Sequence, residues 1–253
     1  MGNILNMKAF LSICLLLLWF TPGWAHFLVL KPSIDISDKR VPVVITAKFT
    51  HPMKGAPTMD FEIERSGVAV LNKVFPLKWK TLHDKKARFY QSLFKPPLPG
   101  VYQVFVVPKP YFEPFEGRFI KQITKVYLCY MGMEAGWDKP LGLEAEVIPL
   151  TRPFGLWEGA VFVGKAVING KKCSHCVVEI EYLNEEALKV PPVFATQKVI
   201  TDERGYFYYT LPWAGWWGFS VIGEGKPIVK DGRKYPLELD AVIWIKAYPK
   251  PSR

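Results

Sequence analysis

Four histidines stand at positions 26, 51, 83 and 175, and the first is placed where one residue can offer a metal two nitrogens. Gly23-Trp24-Ala25 is a small-x-small sequence of the kind signal peptidases cut after. Cleavage there leaves His26 with a free α-amine. That amine titrates near pH ~8 and an imidazole near ~6.5, so both present lone pairs close to neutrality. Amine and imidazole together suit nickel, copper, cobalt or zinc. A cut one residue away removes the chelate, and His26 then simply opens the first strand.

His51 lies in Thr50-His51-Pro52-Met53-Lys54-Gly55-Ala56-Pro57-Thr58-Met59-Asp60. Imidazole, thioether and carboxylate are all within reach there, although methionines also serve as core filler under a loop. Tyr111-Phe112-Glu113-Pro114-Phe115-Glu116 offers two carboxylates from a proline-broken segment, which can serve a hard or borderline metal from a loop. His83, beside Asp84 and two lysines, reads as surface. Cys173-Ser174-His175-Cys176 has three potential ligands where a structural zinc site needs four. In an exported, oxidising setting the pair reads as a disulfide across the turn, or one of the two pairs with Cys129. Trp213-Ala214-Gly215-Trp216-Trp217-Gly218-Phe219 either fills a β core or, exposed, stacks on sugar rings. No serine-histidine-aspartate spacing, phosphate loop or His-Glu-x-x-His motif is present, so the reading is non-enzymatic.

The elements that must position these residues are β-strands. Residues 1–25 read as a secretory signal, with Lys8 ahead of an apolar stretch over 9–20 that is too short to span a bilayer. The location expected is therefore the periplasm or another exported compartment, with a soluble mature chain. The chain of 253 residues carries a formal charge of +10, but its lysines are scattered and no basic helix or finger spacing suggests nucleic acid. Short runs rich in Val, Ile, Phe and Tyr cover 41–48, 88–94, 101–107, 125–130 and 160–168, with Pro and Gly clusters between them. The spacing predicts an all-β chain. Prolines 149 and 153 break the pattern, dividing it into an N-terminal β-sandwich over 26–150 that bears the metal site and a C-terminal sandwich over 157–253. In the second unit, strands over 160–168 and 176–182 flank an Asn169-Gly170 turn. Thr201-Asp202-Glu203-Arg204-Gly205 makes another turn, followed by strands over 206–211, 216–222 and 239–248. This unit resembles carboxypeptidase-regulatory or transthyretin-like modules of the Ig-like sandwich class.

The segments Ala25-His26-Phe27-Leu28-Val29-Leu30-Lys31-Pro32-Ser33, Phe49-Thr50-His51-Pro52-Met53, Pro110-Tyr111-Phe112-Glu113-Pro114, Gly136-Trp137-Asp138, Leu150-Thr151-Arg152-Pro153-Phe154-Gly155-Leu156-Trp157 and Gly215-Trp216-Trp217-Gly218-Phe219 occur in one order. Together they resemble an exported family of unassigned domain function linked to nickel and cobalt uptake, the periplasmic component of nickel/cobalt transport of the ABC type. The resemblance implies metal capture beside a membrane-embedded nickel/cobalt transporter, with His26 and His51 as ligands. Many relatives carry a histidine where Phe119-Ile120-Lys121-Gln122-Ile123-Thr124-Lys125 places Gln122. Gln122 is thus expected at the metal as a weaker ligand, or Glu113 or Glu116 completes the shell. Nickel or cobalt is the expected ion, with copper or zinc as alternatives. The rival functions are an envelope interaction or scaffold module that needs no metal, and a copper protein with redox activity at the N-terminal histidine.

Overall fold

The structure is a computed structural model that describes residues 26–55 and 57–252; the expected signal over 1–25 lies outside the described residues. In the first half, strands of four residues or more are β1 (Phe27–Pro32), β2 (Val43–Thr50), β3 (Ile63–Val70), β4 (Lys80–Asp84), β5 (Ala87–Phe94), β6 (Gly100–Pro108), β7 (Arg118–Tyr130) and β8 (Ala145–Pro149). The second half adds β9 (Val161–Ile168), β10 (Val177–Tyr182), β11 (Gln197–Ile200), β12 (Tyr206–Thr210), β13 (Gly215–Val221) and β14 (Leu237–Tyr248). Among the described residues there is no α-helix, only a single 3-10 turn at Pro192–Phe194. The fold is all-β, and every strand read from the sequence coincides with an observed one, the ends agreeing within two residues except that β7 begins at Arg118, seven residues before the run read at 125–130.

The strands stack in three layers. The central sheet has eleven members, its main path running β11-β10-β13-β14-β7-β6-β3. A five-stranded sheet ordered β1-β2-β5-β4 covers one face, and a four-stranded sheet built on β8, β9 and β12 covers the other. Two hydrophobic cores result. Phe27, Leu28, Leu30, Tyr102, Leu128 and Trp244 lie in one, and Phe162, Ile180, Phe207, Trp217, Phe219 and Ile243 in the other. Strand β9 alternates exposed or half-buried residues with buried ones, as a strand with one face on a core does. Strand β6 is buried at all nine positions because both its faces are covered, which explains its unbroken apolar sequence. Trp216, Trp217 and Phe219 are buried, while Trp213 is 39% exposed. The aromatic run is core material, and each buried ring removes on the order of 200 Å² from water.

The two halves share the central sheet. Strands β7 and β14 pair in parallel over eight residue pairs, from Phe119↔Leu237 to Val126↔Trp244. Strand β8, from before the proline break, pairs with β9, from after it. Residues on both sides of 150–157 therefore contribute to both layers of the second core.

A buried polar knot fixes the stretch containing Gly136-Trp137-Asp138. Lys125 Nζ donates to Glu146 at 2.6 Å, and to Gln103 and Tyr127 at 3.3 Å each. The Glu146 carboxylate also accepts N–H groups from Leu141, Gly142 and Leu143, and the Gln103 amide donates to the carbonyls of Gly136 and Lys139. A buried charge is tolerated when it is paired and its hydrogen-bonding capacity is filled. Here the lysine's three donors each have an acceptor.

Candidate metal-binding site

His26 and His51 face each other because of strand register. Strand β1 runs antiparallel to β2 with Phe27 opposite Thr50, so the next position outward sets residue 26 opposite residue 51. Cross-strand neighbours of this kind bring side chains into contact. The imidazole centroids are 4.4 Å apart with 36° between the ring planes, and the His26 ring also lies 5.8 Å from that of Phe49. Both histidines are half-buried. Burial first, and the neighbouring His51 second, pull the His26 imidazole down to about 4, against an opposing pull from Glu113. A neutral His26 ring at physiological pH is the consequence.

The chain continues from His51 into a turn closed by Gly55 N–H donating to the His51 carbonyl at 2.8 Å. The two methionines of this loop are taken into packing. Met53 lies in the second core, and Met59 packs against the first. They act as filler there, as the softness of a thioether allows.

Glu113 is buried, close enough to act electrostatically on His26, and its Oε1 accepts the Phe115 N–H at 3.2 Å. Its β-turn neighbour Glu116 points elsewhere and pairs with Arg118 at 3.2 Å in an exposed setting. Gln122 occupies a different role from the expected weak ligand. Its Nε2 donates to the His26 carbonyl at 2.6 Å and to Asp240 Oδ2 at 3.1 Å, and its Oε1 accepts the Leu28 N–H at 2.8 Å. The carboxamide thus acts as a surrogate strand partner for residues 26–28, and its oxygen is turned to the backbone. Asp240 behind it is fully buried, and burial and then Glu238 raise its carboxyl well above the usual range.

The remaining candidates lie apart from this pair. His83 and His175 are exposed. Cys173 and Cys176 form a disulfide with Cα atoms 5.7 Å apart, and Cys129 is a free, buried thiol. Of the pairings open from sequence, the structure has the one across the turn. Among the described residues no three His, Cys, Asp or Glu side chains converge as a complete metal cage. The His26–His51 pair offers two imidazoles, and a further nitrogen only where residue 26 is the N-terminus. Glu181 and Asn184 reach the turn after His51, accepting the Met53 N–H at 3.1 Å and donating to the Met53 carbonyl at 2.8 Å respectively, and no motif or local spacing in the sequence signals them.

No curated protein matches the sequence. Solved structures with detectable likeness include the Ig1–Ig3 ectodomain of mouse nectin-like molecule 4, at 9% identity and a TM-score of 0.25, covering 89% of this chain and 65% of that one. The D0–D1 domain of intimin aligns at 14% identity and a TM-score of 0.22, covering 88% of this chain and 100% of that one. An α-2-macroglobulin from Escherichia coli matches 90% of this chain with 16% of its own length, at 9% identity and a TM-score of 0.25. Scores this low carry no argument about function. The family evidence is broader: a model described as "Domain of unknown function (DUF4198)" matches residues 23–225, and the chain belongs to that family.

Proposed function

We propose that this is an exported, non-enzymatic metal-binding protein that captures nickel or cobalt for a membrane-embedded transporter. The α-amine and imidazole of His26 and the imidazole of His51 are the ligands, and Glu113, whose charge acts on His26, completes the shell. The observation that carries this reading is the facing imidazole pair at 4.4 Å. With metal–nitrogen bonds of about 2 Å, two imidazoles at a right angle on one ion have centroids about 4.5 Å apart, and the spacing of this pair supports the reading on that account. The resemblance to exported nickel and cobalt uptake proteins supports the choice of metal and of compartment. The two cores, one on each face of a common sheet, support a description as two sandwiches fused through one layer, the second of them like a carboxypeptidase-regulatory module.

Titration of Ni(II) into protein beginning at His26, beside the same protein with one residue added ahead, tests the proposal. The expected result is tight binding in the first and its loss in the second, with His51→Ala also weakening the first. Equal affinity in all three removes the chelate. Copper belongs in the same titration because it outranks nickel in the affinity series. Reductant-driven turnover of the copper form, absent on the carrier reading, is the mark of the redox alternative.

A further inference from the structure

The second half of the chain holds the backbone that carries each imidazole. Past His51, three consecutive backbone groups of the turn are taken by two residues from the end of β10 and the loop after it. The Pro52 carbonyl accepts the Asn184 N–H at 3.2 Å, the Met53 N–H donates to Glu181 Oε2 at 3.1 Å, and the Met53 carbonyl accepts from Asn184 Nδ2 at 2.8 Å. These clamping groups are themselves fixed. Thr196 Oγ1 donates to Glu181 Oε1 at 2.5 Å. Asn184 also exchanges hydrogen bonds with the N–H and carbonyl of Leu188, both at 2.8 Å. An ion pair between Lys31 and Glu185 ties the same loop to β1. On the other side, Asp240 on β14 orients Gln122, which holds the His26 carbonyl.

We infer that Glu181 and Asn184 are positioning residues for the His51 imidazole, so that the C-terminal half sets the spacing of the His26–His51 pair. Its functional meaning rests on the metal reading above. Strand pairing alone ends at Thr50, so it brings the two histidines opposite each other without fixing the turn that follows. The clamp on Pro52 and Met53 fixes the backbone that leads out of His51. Glu181 is 2% exposed, and burial pushes its carboxyl up to about 7. Such a group is costly to bury. The geometry gives its two oxygens one task each: the Met53 N–H and the Thr196 hydroxyl. Groups that orient ligands without touching the metal commonly matter for affinity.

The test uses metal-free protein beginning at His26, with ¹⁵N-labelled histidine, and compares Glu181→Ala, Asn184→Ala and the conservative Glu181→Gln. The readout is the set of imidazole resonances of His26 and His51. A double serine variant of Cys173 and Cys176 supplies loss of stability at a distant place. The expected result is displaced His51 ring resonances in the two alanine variants, with the glutamine and disulfide variants keeping wild-type positions. Nickel affinity is expected to fall about tenfold or more in the same two alanine variants. If the alanine variants fold and leave both rings at wild-type positions, the inference is overturned. If the rings move as expected but the wild-type protein binds no metal, the positioning role stands and the metal reading falls. Should an alanine variant fail to fold, displaced His51 resonances in Asn184→Asp, which keeps the backbone N–H but loses the Nδ2 donor to Met53, support the clamp, and unchanged ones overturn it.

Discussion

Lys125 and Glu146 form an ion pair at 2.6 Å with side chains only 1% and 2% exposed. Neither charge reaches solvent, so each depends on the other. Replacing Lys125 by Met leaves a buried carboxylate without its cation, and the expected loss of stability is about 3–5 kcal/mol. Changing Glu146 to Gln in the same chain is expected to restore part of it, because Gln still accepts from the backbone of residues 141–143. Urea midpoints of the two single variants and the double variant measure the coupling.

A half-buried histidine and a buried glutamate give stability opposite slopes with pH. The His26 pKa falls from 6.5 to about 4 on folding, so the unfolded chain takes up the proton first. Stability is expected to drop as pH falls from about 6.5 towards 4. Glu181 is raised from 4.5 to about 7. Its contribution is full below 4.5 and is lost as pH rises through 7. The two windows overlap between about 4.5 and 6.5, where the slopes oppose each other, so Glu181→Gln is expected to steepen the fall of stability with acid over that range and to remove the loss between 6.5 and 7. Denaturation midpoints between pH 4 and 8 decide this.

The Cys173–Cys176 disulfide closes a short loop. Loop-closure entropy for so few residues gives about 2 kcal/mol, so the double serine variant is expected to lose no more than that. In denatured, unreduced protein beginning at His26, one thiol is expected to react with maleimide, Cys129. After reduction three react, and mass spectrometry counts them.

Gly215 adopts φ +127°, and a Cβ there would stand 2.4 Å from the Tyr182 ring. Gly215→Ala combines backbone strain with overpacking, each costing about 1–3 kcal/mol. A matched Ala at Gly232, where a Cβ meets nothing within 4 Å, separates the two effects: it carries only the strain.

Strands were legible in the sequence because proline and glycine clusters bound short apolar runs, and neither needs long-range information. His26 and His51 stood out in the sequence by residue type alone. Their contact was not, since it follows from Phe27 lying opposite Thr50 rather than opposite a neighbour of Thr50. A one-residue change of register sends the ring to the other face. Gln122 was legible as a residue near the site but not as a brace, because a carboxamide serves a metal or a backbone with equal ease. The grip of Asn184 on Met53 spans 131 positions, and no local pattern encodes it.

The parallel seam between β7 and β14 also determines what happens when the chain is divided. Cutting between 150 and 157 uncovers eight residue pairs of unsatisfied N–H and carbonyl groups, on strands otherwise deep in the molecule. An open strand edge recruits whatever strand it meets. Produced alone, each fragment is expected to aggregate. Produced together, the fragments supply each other's missing neighbour, and their reassembly makes the chain a natural split reporter whose signal depends on the β7–β14 seam and the β8–β9 pairing together.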